Sequence, residues 1–417
     1  MRRCPRSSSR RSRCARKGPW PRRSGLGGCG RACVHGATCR EYTAASANRH
    51  SLQICIECGY VRGMTRDVLV CGAGIAGSTL AFWLARNGFR PTVVERAAGR
   101  RSSGNPVDVR AGAMEVADAM GVVPRLREVA THAQRLRVLN ARGRSVTTVR
   151  MAVSKEIEVP RADLASVLYE AARDDAEILF GDTITALQQD EGGVDVTFEH
   201  AAPRRFDLVL GADGVHSTVR RLVFGPEREF VRHAGLYVGT VSLGEPSDYP
   251  EDIVLLNAPG RLVAIHPVRG NSGVAFIFRA PNPGQGKEIV SAAYRGLGWR
   301  VPELLARFDA ADDVFFDAVA VVDPPRWSHG RVALVGDAAS CVSLLGDGSS
   351  LAIVGAHTLA AALAEGTPAE AFARYEATHR ARVKPKQRGV RTAASMLVPR
   401  TKRGLAVRNL AARLLPG

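Results

Sequence analysis

Short apolar runs closed by glycine alternate along much of the chain with apolar positions at helical spacing, the rhythm of an α/β fold. Arg66-Asp67-Val68-Leu69-Val70-Cys71 reads as a strand, and Leu80, Ala81, Trp83 and Leu84 mark one side of a helix that follows at once. Pro91-Thr92-Val93-Val94-Glu95 reads as the next strand. Two later strands, within 206–211 and 330–336, each run into a Gly/Asp turn. Between them, from Pro226 to about Pro325, the pattern becomes an alternation, as in 260–266 and 273–279, which predicts antiparallel strands. The stretch 136–150 reads as a hairpin of the same kind. The run 351–364 is apolar but holds His357 and Thr358, so it predicts a buried helix rather than a membrane span. Near the end, Val390, Ala393, Ala394 and Leu397, and then Val407, Leu410, Ala411 and Leu414, fall at helical spacing. Two terminal helices are predicted, each with its apolar face docked and its arginines on the solvated side.

The first strand and helix are joined by Gly72-Ala73-Gly74-Ile75-Ala76-Gly77, a GxGxxG pattern in its proper context. There the first glycine permits a tight turn, the second lets a pyrophosphate approach the backbone, and the third lets helix and strand pack closely. Unpaired N–H groups at the helix start then hold phosphate charge. Gly25-Leu26-Gly27-Gly28-Cys29-Gly30 fits the same pattern without a strand before it or a helix after it, and reads as chance. Glu95 closes the second strand eighteen residues beyond Gly77, where a carboxylate accepts from a ribose hydroxyl. A dinucleotide site follows, and NAD and FAD share this fingerprint.

Composition changes the picture at the N-terminus. The 417 residues are 45% hydrophobic and 24% charged, as in a globular protein. Residues 1–63 depart from this, with fourteen Lys and Arg against Glu41 and Glu57, and seven of the nine cysteines. They carry +12 of the formal +18, so the headline basicity says little about the folded part. Rich in Arg, Ser and Gly and without periodicity, this leader is expected to be disordered or upstream of a true start at Met64. Cys55 and Cys58 form a CxxC pair without a matching second pair for zinc, and no metal site is expected. Cys71 and Cys341 alone remain downstream, which fits a reducing cytoplasm. Basic charge in a leader and a tail, without interleaved aromatics, excludes a nucleic-acid-binding surface.

Two distant segments narrow the nucleotide. Phe206-Asp207-Leu208-Val209-Leu210-Gly211-Ala212-Asp213-Gly214 and Gly330-Arg331-Val332-Ala333-Leu334-Val335-Gly336-Asp337-Ala338-Ala339 follow the glycine unit in order and spacing. Together the three segments resemble the FAD-dependent class A flavoprotein monooxygenases, the para-hydroxybenzoate hydroxylase-like group that includes the tetracycline-inactivating monooxygenases. The resemblance runs from Met64 to about Leu415. It implies a Rossmann-type FAD-binding domain with an inserted antiparallel β-sheet substrate domain and C-terminal helices. In that division 64–135, 151–225 and 326–380 bind FAD, 136–150 and 226–325 form the substrate domain, and 381–417 form the basic C-terminal helices. The resemblance further implies that Asp337 bonds the ribityl chain, that Asp213 lies near the pyrophosphate, and that Arg161 contacts the cofactor, with Arg96 and Arg110 as looser candidates. Where many relatives carry His, Pro and Gly-Gln-Gly, this chain has Ser340, Leu344 and Gly346-Asp347-Gly348. Gly346 and Gly348 leave N–H groups free at a helix start that can stabilise the reduced flavin, and Asp347 reads alternatively as a cap.

The implied chemistry is hydroxylation of an aromatic or polyketide-like small molecule with NADH or NADPH as a transient reductant and O2 as co-substrate, through a flavin hydroperoxide. No protein nucleophile is needed, because the cofactor carries the bond chemistry. A base that deprotonates a phenol fits the scheme, and His266, or less well His233, is its candidate. Two alternatives stand beside the hydroxylase: a flavin-dependent reductase of an isoprenoid or other unsaturated substrate, and a flavin-binding protein without turnover. The halogenase tryptophan motif is absent. The tail from Arg380 to Arg413 carries eleven basic residues, and no acid follows Glu376. An acidic carrier protein or an anionic membrane fits such a patch, and a plain solvated face is the simpler expectation.

Overall fold

The computed structural model describes residues 54–55, 60–61, 66–99, 106–151, 156–268, 270–280, 287–342 and 347–413. The chain divides into two compact units, 1–64 and 65–417. In the first, Ile54–Cys55 pairs antiparallel with Tyr60–Val61. Cys58, Met64 and the rest of the leader, with the expectations attached to them, lie outside the described residues.

The second unit is a mixed α/β fold. Its six-stranded sheet runs in the order Ser328–His329, Val332–Leu334, Leu208–Gly211, Asp67–Cys71, Arg90–Glu95 and Glu177–Phe180. All neighbours are parallel except the first pair. Val68, Leu69, Val70, Leu208, Val209 and Leu210 are wholly buried, which is why these strands read as unbroken apolar runs. The Ile75–Arg86 helix packs against the Gly348–Ala364 and Arg161–Ala172 helices. The apolar 351–364 run is thus a core helix, and among the described residues no helix is long and apolar enough to cross a membrane.

A seven-stranded sheet runs in the order Phe315–Val322, Val231–Ser242, Asn271–Phe278, Arg261–Val268, Asp252–Ala258, Arg135–Leu139 and Ser145–Arg150. It is antiparallel except where Asp252–Ala258 meets Arg135–Leu139. Strand alternation gives it two faces. Val241, Val263, Ile265, Val274 and Phe276 pack under the Glu288–Tyr294 and Val301–Ala310 helices. Leu236, Leu262, Ala264, Ala275 and Ile277 face the other way, with Ala394 and Val398 against them.

The Pro368–Leu397 helix opens with a capping box made by Thr367 and Glu370. It is continuous through the 380/381 boundary expected from sequence, so that boundary falls inside one helix. Its apolar positions Val390 and Ala394 are buried. The Lys402–Arg413 helix corrects the other expectation for the tail. Val407 and Leu410 point to solvent, 69% and 60% exposed, while Arg408 and Asn409 face the sheet. Arg408 donates to Asn257 Oδ1 at 2.7 Å. Spacing located the amphipathic stripe correctly, but a polar anchor on the sheet turned it outward.

Candidate functional site

Three segments far apart in sequence end side by side. In register, Gly211 lies opposite both Cys71 and Leu334, so the glycine loop, the Asp213 turn and the Gly336 turn all leave the same edge of the six-stranded sheet. Backbone bonds tie the exits together: Gly72 N donates to Val94 O at 2.7 Å, Ala212 N to Cys71 O at 2.8 Å, and Val335 N to Gly211 O at 2.8 Å. This is the carboxyl edge, where open parallel sheets bind their ligands.

The glycines divide into structural and open ones. Gly72 has φ +101°, and a Cβ there would lie 2.7 Å from Ala212 O. At Gly77 a Cβ would lie 1.8 Å from Gly72 O, so helix and turn touch backbone to backbone. Gly336 has φ +61°, and its Cβ would meet Ala76 Cβ at 2.7 Å. Gly74 differs, because nothing lies within 4 Å of its Cβ position. It is the N-cap of the Ile75–Arg86 helix, whose first turn has neither a side-chain cap nor an acid. Open space thus lies beside the uncapped helix start at Gly74, which fits a pyrophosphate.

Side chains complete the edge. Glu95 accepts from Ala73 N and from Ala97 N, both at 2.9 Å. Two backbone donors therefore aim the carboxylate along the loop and leave lone pairs for other hydroxyls. Arg96 is exposed one residue beyond. Asp337 opens a short helix, and Arg161 Nη2 lies 4.0 Å from its Oδ2. Burial raises the Asp337 carboxyl above its ordinary range, while Arg161 and a bond from Cys341 pull it down. Arg110 pairs with Asp108 at 2.6 Å and with Asp347 and Glu156 at 3.5 Å, and its backbone N–H donates to Ser350 Oγ at 3.0 Å. Gly348 begins the Gly348–Ala364 helix, and Gly346 lies outside the described residues. Asp347 stands at the N-cap position without capping; its carboxylate goes to Lys386 at 3.0 Å and to Arg110.

Asp213 is turned inward. Its oxygens accept from Ser217 Oγ at 2.5 Å and Val219 N at 3.1 Å, which fastens the start of the Thr218–Val223 helix, and burial raises its pKa. Arg220, which sequence reasoning passed over, is 0% exposed. Its guanidinium donates to Ala338 O at 3.0 Å and Val215 O at 2.5 Å. It thereby bridges the Gly336-Asp337 and Asp213-Gly214 turns. The signal was hidden by the Arg220-Arg221 pair, in which nothing local says which arginine is buried.

The histidines separate by environment. His233 Nε2 lies 3.1 Å from Leu236 O, and Gly235 N donates to its Nδ1 at 3.3 Å, so both ring nitrogens serve the local bend of their own strand. His266 shares the sheet face of Leu262 and Ala264. Burial drives its pKa down to about 4, and its Nδ1 has no partner among the described residues. Thr240 lies on the same face, in line with Ala275 and Ala264, and its buried Oγ1 also lacks one. Small residues, Gly273 and Ala275, separate these two polar groups.

His216 meets Glu227 at 3.0 Å through Nδ1 and Asp317 at 3.4 Å through Nε2, beside a cavity of about 410 Å³. The Asp317 bond, with Glu227 adding to it, lifts its pKa to about 9. A folded pKa above the unfolded value near 6.5 contributes stability that is complete below about pH 6.5 and lost as pH rises through 9. His216→Gln should therefore melt about 2 °C below the wild type at about pH 6, a modest gap because the pair is half-exposed, and equally with it at about pH 10. Thermal melts at both pH values check this, and a gap of the same size at both rules the ion pair out as its cause.

Comparisons with known proteins show the family. The family model described as FAD binding domain matches residues 65–385. An uncharacterized protein of Mycobacterium tuberculosis is 36% identical over 315 residues, covering 72% of this chain and 85% of its own length. A flavin-dependent monooxygenase of Legionella longbeachae is 32% identical over 351 residues, 79% of this chain and 90% of the relative. The crystal structure of tetracycline destructase Tet(51) superposes with a TM-score of 0.74 at 31% identity, over 84% of this chain and 95% of that one. A glycine loop open toward a helix start, two Asp turns tied to it and a family match across most of the chain converge: the chain belongs to the FAD-binding domain family and is an FAD-dependent monooxygenase of the class A kind.

Proposed function

We propose that this enzyme hydroxylates an aromatic or polyketide-like small molecule, held against the sheet face of Thr240 and His266, with FAD along the carboxyl edge of the six-stranded sheet. The convergence of the three turns at that edge carries the reading. In this reading 64–135, 151–225 and 326–380 form the FAD-binding domain and 136–150 and 226–325 form the substrate domain, while the Pro368–Leu397 helix runs past 380 without a break. The Gly74 loop and the helix start take the pyrophosphate, with Asp213 holding the adjacent turn in shape. Glu95 takes ribose hydroxyls, Asp337 the ribityl chain, and Arg161, 4.0 Å from Asp337, contacts the cofactor. Arg96 and Arg110 flank the cofactor, and the N–H groups at the start of the Gly348–Ala364 helix meet negative charge on the flavin ring. The chemistry FAD supplies when bound is hydride acceptance from NADH or NADPH and activation of O2.

The polar groups on the sheet face orient the substrate. A histidine with a pKa near 4 is neutral at physiological pH and a weak base, so His266 serves as a hydrogen-bonding group rather than as the phenol's base. Thr240 Oγ1 and His266 Nδ1 are buried polar atoms that a hydroxylated or carbonyl-bearing substrate can satisfy. Gly273 and Ala275 leave room for a ring between them.

The test is NADH and NADPH oxidation with O2 uptake by the FAD-loaded enzyme against phenols, anthraquinones and tetracyclic polyketides. No acceleration by any of these classes sinks the substrate reading. For the best substrate, His266→Gln should keep kcat/KM within about threefold and His266→Phe should lose about tenfold or more, mostly in KM. A loss of about a hundredfold or more in kcat for the glutamine variant would restore a base at this position.

A further inference from the structure

The Lys402–Arg413 helix is built inside out. Val407 and Leu410 are 69% and 60% exposed, Ala406 and Ala411 are exposed beside them, and Met396 in the preceding helix is 62% exposed. Arg408 and Asn409 take the sheet side, where Arg408 Nε and Asn409 Oδ1 are buried without partners among the described residues. A helix free to choose would turn the other way, because each large apolar side chain gains roughly 1.5–3 kcal/mol on burial. The connection into this helix is nevertheless fixed. Gly260 N donates to Pro399 O at 2.8 Å, Asn257 Nδ2 to Leu397 O at 3.1 Å, and Arg279 Nε to Val398 O at 2.8 Å. The outward apolar face is therefore a presented surface, with no other part of this unit over it among the described residues.

Charge identifies what it fits. Arg400, Lys402 and Arg403 are exposed at the start of the helix, and Arg403 lies on the same line as Val407 and Leu410, at positions i, i+4 and i+7. No acid follows Glu376 in the sequence. We infer that this helix lies on an anionic lipid bilayer, with Ala406, Val407, Leu410 and Ala411 at the acyl boundary and Arg400, Lys402 and Arg403 against headgroup phosphates. Two or three apolar side chains hold a helix at an interface only weakly, and each nearby Lys or Arg adds about 1 kcal/mol on an anionic surface, so both parts are needed. A second copy of this chain is a poor occupant, since it would bring the same positive charge to the contact.

Flotation of the full chain with vesicles tests the inference. Binding is expected to vesicles of phosphatidylcholine and phosphatidylglycerol at low salt, and not to phosphatidylcholine alone. The double variant Val407→Asp, Leu410→Asp should lower binding about tenfold or more, and so should Lys402→Gln with Arg403→Gln. Melting temperature and NADPH oxidation should stay unchanged in both, since these side chains already face solvent. Full binding by the aspartate variant, as basic leader residues alone would give, overturns the inference. So does a full chain that stays out of the lipid fraction at low salt. A concentration-dependent dimer that the aspartate variant abolishes would overturn it in favour of self-association.

Discussion

Gly77→Ala should yield a protein that melts roughly 5–10 °C below the wild type and purifies without FAD, whereas Gly74→Ala should melt within about 1 °C of it and still bind FAD about tenfold more weakly. The two glycines belong to one motif, but their surroundings differ. A Cβ at Gly77 would stand 1.8 Å from Gly72 O, a contact that no rotamer relieves because both partners are backbone. The helix or the turn must move, and overpacking at such a contact costs about 1–3 kcal/mol or more. The same movement displaces the helix start from the loop, so the cofactor is lost together with stability. Gly74 has an ordinary φ of −76° and nothing within 4 Å of its Cβ position, so alanine there costs the empty protein almost nothing. Any deficit of that variant must come from a ligand that approaches the backbone. Melts of FAD-stripped protein and fluorescence titrations with FAD separate the two effects. Undiminished FAD affinity in Gly74→Ala would mean that no phosphate approaches this backbone.

Much of this site was legible because its signals are local. A strand, a tight turn and a helix are each written in consecutive residues, and Gly72 to Gly77 sit where the three meet. The later turns at Asp213 and Gly336 were visible as strand ends, and their order along the chain carries the family resemblance that implies FAD. What sequence could not supply was direction. Asp213 and Asp337 look alike as turn residues, but register and a helix start at Thr218 turn the first toward Ser217 and Val219. Periodicity placed Val407 and Leu410 on one stripe of the last helix, yet which side of a helix meets the body depends on tertiary anchors such as Asn257 with Arg408. His266 was legible as a strand histidine, while its loss of basicity comes from burial under elements far away in sequence. Thr240 carried no signal at all, since a threonine in a strand is ordinary until its hydroxyl is found without a partner.

Replacing Arg220 by methionine should lower FAD affinity by about a hundredfold while lowering the stability of the empty protein by only about 2 kcal/mol, because two opposing effects meet at this side chain. On one side stand the bonds. The guanidinium donates to Ala338 O and Val215 O, and methionine leaves both carbonyls without that donor. On the other side stands the charge. Arg220 is 0% exposed, and burial lowers its pKa against the pull of Glu227, which is 3.6 Å away. Desolvation therefore outweighs attraction, and removing a charge held at such a cost recovers part of what the lost bonds take. Glu227 is 41% exposed and keeps His216 as a partner at 3.0 Å when Arg220 is gone. Stability thus changes little, but position changes greatly, since Ala338 follows Asp337 directly and Val215 follows Gly214. One planar fork fixes the spacing between the two turns, and a methionine of similar length fixes nothing. Arg220 is in this sense a positioning residue, and Arg220→Lys should recover only part of the affinity, because a single ammonium lacks the rigid fork that reaches both carbonyls. FAD titration of the two variants, with melts of the stripped proteins alongside, reads both effects. Wild-type FAD affinity in Arg220→Met would show that the two turns hold their spacing without it.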